Sequence, residues 1–216
     1  LYDNLGQMET AAREGVCDPL FATTDKFNFE VVTLYTSGAR HIYTNKPITK
    51  PEDLRGLKIR VVGSPIFIET FRALGANPVN MNWSEATTGF QQGVVDGQEN
   101  PLVNIHASKL YEVQKHLALT SHMFQMTPFL MSKRSWDRLS DADRKAVTEA
   151  ATEATALQRK LSADADAKLL DDLKAKGVQV TTVDKTVFAK ATAAVDDKWL
   201  ATPIGPYLKK VIAAAR

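Results

Sequence analysis

Cysteine is almost absent from this 216-residue chain: Cys17 stands alone, so no internal disulfide can form. That usage fits the cytoplasm and equally a bacterial periplasm. No stretch approaches the roughly 18 consecutive apolar residues of a membrane-spanning helix. Charge of one sign is lacking too. The formal charge is +2, with 27 basic against 25 acidic residues. No Lys/Arg-rich run interleaved with aromatics appears, so nucleic acid is not an expected partner. There is no G-x-S-x-G elbow, H-E-x-x-H pair, phosphate loop, G-x-G-x-x-G turn or cysteine-pair metal motif. The four histidines, His41, His106, His116 and His122, lack close ligand spacing, so neither metal nor cofactor is expected. Asp96 and Glu99 near a strand end could be read as an acid/base pair, but isolated carboxylates are common. The chain opens at Leu1 without a basic-then-apolar leader, and the expectation is that an upstream signal segment has been removed.

What is present is ordinary globular composition, with 44% hydrophobic and 24% charged residues. Leu1, Leu5, Met8 and Ala12 share one helical face, stopped near Gly15, and Val16 to Asn28 shows no period. Glu30 to Tyr35 predicts a strand, and Ser37-Gly38-Ala39-Arg40 a turn into a second extended run, His41 to Thr44. Leu57, Ile59 and Val61 alternate with Lys58 and Arg60, a half-buried strand. Ser64-Pro65 predicts an N-capped helix to Leu74 ended by Gly75. Val79 to Met81 is a strand, Ser84 caps a helix to Gln92, and Val94 to Gly97 is a short strand ending in a turn. Asn104 to Leu117 reads as a helix, and Ala118 to His122 and Phe129 to Ser132 as two further strands. This alternation predicts an α/β fold with a mostly parallel sheet.

Asp141 to Lys176 holds neither Gly nor Pro. An apolar stripe runs through Ala146, Ala150, Ala154, Leu157, Leu161, Ala165 and Leu169, predicting one helix of roughly 50 Å. Gly177 stops it. Val178 to Val183 is a strand, Asp184 caps a helix to Leu200, and a short helix follows Pro206.

Arg60 is the residue type for an anion site. Ligands in open α/β sheets bind beyond the carboxyl ends of strands, and a guanidinium forks onto a carboxylate. Periodicity alone favours an exposed or structurally paired arginine.

The surrounding words narrow that choice. Gly56-Leu57-Lys58-Ile59-Arg60-Val61, Leu74-Gly75-Ala76-Asn77-Pro78, Trp83-Ser84-Glu85, Gly93 to Pro101 (GVVDGQENP) and Tyr111 to Leu117 (YEVQKHL) stand in this order. Together they resemble the substrate-binding subunits of tripartite ATP-independent periplasmic (TRAP) transporters, of the C4-dicarboxylate/sialic-acid type. The resemblance implies a two-lobed α/β periplasmic-binding-protein architecture with a hinge, long lobe-spanning helices and part of the N-terminal lobe missing. Residues 1–36 and about 123–216 would be mainly N-terminal lobe and spanning helices, and about 37–122 mainly the second lobe carrying the carboxylate clamp.

The resemblance also assigns roles. Arg60 would form the salt bridge to the ligand carboxylate, with Arg40, Asn100 and Trp83 also contacting ligand. Glu99 and His122 would buttress the clamp arginine. The implied protein is no enzyme. It is a periplasmic monomer that captures a small organic acid and delivers it to a TRAP permease driven by ion gradients. A ligand sensor signalling to a membrane receptor, or a truncated binding-incompetent fragment, are the alternatives.

Overall fold

A computed structural model describes residues 4–214, so Leu1 of the first predicted helix lies outside the described residues. In chain order the helices are α1 (Leu5–Arg13), α2 (Asp18–Phe21), α3 (Pro65–Ala73), α4 (Trp83–Gln91), α5 (Leu102–Ala107), α6 (Lys133–Trp136), α7 (Asp141–Ala175), α8 (Lys185–Leu200) and α9 (Gly205–Ala214). The strands are β1 (Phe29–Thr44), β2 (Lys58–Val61), β3 (Asn77–Asn80), β4 (Gly97–Pro101), β5 (His116–Ser132) and β6 (Gln179–Thr182). They form one six-stranded sheet in the order β3-β2-β4-β1-β5-β6. β2 runs parallel to β3 and β4, and β5 parallel to β6, while β1 pairs antiparallel with β4.

The chain divides into two compact units. One comprises the described residues up to Gly38, Phe124–Ala165 and those from Tyr207 on; the other comprises Ala39–Met123 and Asp166–Pro206. The sequence division at about 37–122 therefore omits Asp166–Pro206, which packs with the second unit.

In the first unit Tyr35 meets Phe129 edge-on, and Gln158 satisfies both the N–H and the carbonyl of Thr36, at 3.2 and 2.7 Å. In the second, the sheet carries apolar clusters on both faces. Ile42, Ile59, Val61 and Phe71 pack with Val183 and Phe188 on one face. Tyr43, Phe90, Leu102, Ile105 and Leu173 pack on the other.

Several expectations are corrected. Ser37 to Arg40 is no turn: β1 is one continuous strand, and Gly38 absorbs the local distortion at φ 83°. Ala118 to His122 and Phe129 to Ser132 are likewise one strand, with Ser121 at φ 43° inside it. Asn82, not Ser84, is the N-cap residue of α4. The predicted turn after Gly97 is β4 itself, buried along its whole length. The helix predicted from Asn104 to Leu117 ends at Ala107, and Lys109 adopts a left-handed φ of 51°. Val16 to Asn28 is not irregular but holds α2 and a 3-10 turn at Asp25–Phe27.

α7 spans the predicted range; most of its apolar stripe is exposed, while Leu169 packs against the core of the second unit. Ala146, Ala150, Ala154, Leu157 and Leu161 are exposed, whereas Ala151 and Thr155 are buried. The helix meets β1 through polar contacts, Thr155 with Thr33 and Gln158 with Thr36, so along that stretch apolar spacing does not mark its contact face.

Candidate functional site

Strand alternation builds the site. In β2, Ile59 and Val61 point into the cluster with Ile42 and Phe71, which sends Arg60 to the opposite face. The register pairs Arg60 with Gln98 and Tyr43 with Gln98, so all three share that face, and Asn100 shares it two residues on. Ile59 pairs with Gly97 and Ile42 with Glu99, which places Glu99 and Arg40 on the other face. β4 lies close against its neighbours: a Cβ on Gly97 would stand 2.7 Å from the Tyr43 carbonyl oxygen.

Arg60 is only 5% exposed. Its Nε donates to the Met81 carbonyl at 2.9 Å, and its guanidinium lies 5.2 Å from the centre of the Trp83 ring. Among the described residues it has no ion pair. Burial pulls its pKa below the usual arginine value; the Glu99 charge opposes that pull and the Arg40 charge adds to it. Arginine nevertheless stays protonated in proteins. A desolvated cation is costly unless an anion meets it.

Arg40 is differently placed. Its Nε donates to Glu99 Oε2 at 2.5 Å, and its Nη2 donates to Glu99 Oε1 at 2.8 Å, the Glu99 carbonyl at 2.8 Å and Asn100 Oδ1 at 3.1 Å. Its guanidinium also lies 5.4 Å from the centre of the Phe67 ring. His122 Nε2 approaches Glu99 Oε2 at 3.3 Å, while its Nδ1 meets the Thr120 hydroxyl at 2.8 Å. Burial pushes the Glu99 carboxyl up, but hydrogen bonds from His122 and Arg40 outweigh it and hold it below the usual range.

All six sequence-predicted residues lie in the second unit. Glu99 contacts Arg40 directly, His122 contacts Glu99, and Glu99 reaches Arg60 only through its charge. Trp83 does lie over Arg60. The sequence reading missed Gln98, which is fully buried beside Arg60, and Asn104, whose Nδ2 donates to Asn100 Oδ1 at 3.0 Å. The signal available for Gln98 was its two-residue spacing from Asn100 within one strand.

Residues 1–202 match the bacterial extracellular solute-binding protein family 7. An uncharacterized protein of Sinorhizobium fredii is 47% identical over 163 residues, 74% of this chain and 30% of that protein. The 2,3-diketo-L-gulonate-binding periplasmic protein of Escherichia coli is 36% identical over 82% of this chain and 53% of its own length. The chain thus spans about half or less of these two relatives. A TRAP periplasmic solute-binding protein of Ralstonia eutropha, solved with bound (S)-2-acetolactate, superposes with a TM-score of 0.93 at 35% identity. That match covers 99% of this chain and 71% of the solved one. A two-unit α/β fold, a buried guanidinium on a parallel strand and these matches agree, and the chain belongs to the family 7 bacterial extracellular solute-binding proteins.

Proposed function

We propose that the protein is a periplasmic, monomeric solute-binding protein, not an enzyme, that captures a small organic carboxylate and delivers it to a TRAP membrane permease. One observation carries this reading: Arg60 is buried to 5% exposure with no ion pair among the described residues. A carboxylate supplies the missing counter-charge and fits the planar fork in two parallel hydrogen bonds. Trp83 lies over the guanidinium and lends an apolar wall. Asn100 adds a polar group on the same face, and Arg40 reaches its amide oxygen from the other face. The relatives support the ligand class: diketo-gulonate and acetolactate both carry a carboxylate with oxygen on the adjoining carbon.

Calorimetric titration with a panel of organic acids tests it. Arg60→Ala removes one partner of a buried charged contact, which costs about 2–5 kcal/mol, or roughly 30- to several thousand-fold in affinity. Arg60→Lys is also weak, because a point charge cannot fork. Unchanged affinity in Arg60→Ala removes the assignment.

A further inference from the structure

Hydrogen bonds on the Arg60 face can be counted atom by atom, and they are lopsided. A guanidinium has no acceptor, so the Asn100 atom 3.1 Å from Arg40 Nη2 must be the amide oxygen. That oxygen also accepts from Asn104 Nδ2 at 3.0 Å, which uses both of its lone pairs. Asn100 Nδ2 is thereby turned toward Gln98 and donates to Gln98 Oε1 at 2.5 Å. Gln98 must then present its own Nε2 elsewhere, and that buried group has no partner among the described residues. The amide orientation is thus passed from Glu99 to Arg40, to Asn100 and to Gln98, the cross-strand neighbour of Arg60.

The consequence is a buried cluster rich in donors. One N–H of Asn100, both of Gln98 and the Nη edge of Arg60 remain, against a single free lone pair on Gln98 Oε1; Asn100 has no acceptor left. Glu99, which could have attracted a cation, lies on the other face and is engaged by Arg40 and His122.

We infer that Arg40, Asn104 and Gln98 are positioning residues that lock the Asn100 amide with its donors outward. The site then selects acids bearing an oxo, hydroxy or ether oxygen beside the carboxylate and rejects 2-amino acids. An acceptor oxygen satisfies the orphaned N–H groups. An ammonium would face mostly donors and the unpaired Arg60 charge, and a site built for one polar group discriminates strongly against an analogue that cannot pair with it. The inference rests on the carboxylate reading and names its ligand class.

Matched pairs test it by calorimetry: 2-oxopentanedioate against L-glutamate, 2-hydroxy-3-methylbutanoate against L-valine, and D-gluconate against 2-amino-2-deoxy-D-gluconate. The wild-type protein binds the oxygen-bearing member of at least one pair about 100-fold or more tightly than its amino partner. Gln98→Met weakens that acid about tenfold and leaves the amino partner unchanged, so the ratio collapses; a merely structural loss would weaken both equally. Asn104→Leu frees a lone pair on Asn100 and raises affinity for the amino partner, an arm that stands if Gln98→Met fails to fold. Amino and oxygen-bearing partners binding within threefold of each other, or ratios unchanged in both variants, overturn the inference while Arg60→Ala still abolishes acid binding. If no acid binds, or Arg60→Ala binds acids as well as the wild type does, the carboxylate reading itself has failed.

Discussion

His41 shows how burial turns one side chain into a dependence on pH. It is 7% exposed, and its Nδ1 accepts from the Ser121 N–H at 3.3 Å. Burial first, then the nearby charges of His122 and Lys185, lower its pKa from 6.5 to about 3. The unfolded chain therefore takes up a proton below pH 6.5 that the folded chain refuses until about pH 3. Stability is complete above the unfolded value and falls as pH drops through that window. At pH 5 the loss from this one group is about 2 kcal/mol. His41→Gln, which keeps an acceptor and cannot charge, should flatten the wild-type decline between pH 7.5 and pH 5. Parallel urea-denaturation curves for the two proteins would refute the assignment. Other acids whose folded pKa is depressed, Glu99 among them, contribute equally to both proteins and cancel in the difference.

At the level of the element, caps show what could be read in the chain and what could not. Both Ser64 and Asp184 sit at predicted helix starts. Asp184 Oδ1 accepts from the Thr186 N–H at 2.9 Å, but Ser64 makes no side-chain capping bond to α3. Asp184→Ala should therefore lower the urea midpoint, while Ser64→Ala should leave it unchanged. Circular dichroism of the two variants separates them. The same lesson holds for larger pieces. The extent of α7 was legible because it lacks Gly and Pro, yet its contact face was not, since Thr155 and Gln158 hold β1 by hydrogen bonds rather than by apolar packing. β1 was read as two strands because Ser37-Gly38 resembles a turn when only the sequence is known, and β5 was read as two because no strand was expected between His122 and Phe129. Arg60 and Trp83 were legible as neighbours. The partner of Glu99 was not, because strand parity places Glu99 and Arg60 on opposite faces and only the register reveals it.

At the level of the whole molecule, the sheet is stitched from distant parts of the chain. Ile42 pairs with Glu99, and Leu117 with Val180. Among the described strands, only β2 and β3 are sheet neighbours joined by a short excursion, through α3. Closing long loops before any contact rewards them makes a slow folding barrier, and domains dominated by such pairings fold in milliseconds to seconds or more slowly. Stopped-flow refolding followed by the fluorescence of Trp83, Trp136 and Trp199 should show its main phase on that scale; a single sub-millisecond phase would contradict it. A nascent chain of this design cannot complete its central sheet until β6 has been synthesised. Until then the β5 edge stays unpaired, an open strand of the kind that a holdase binds or a second chain adds to.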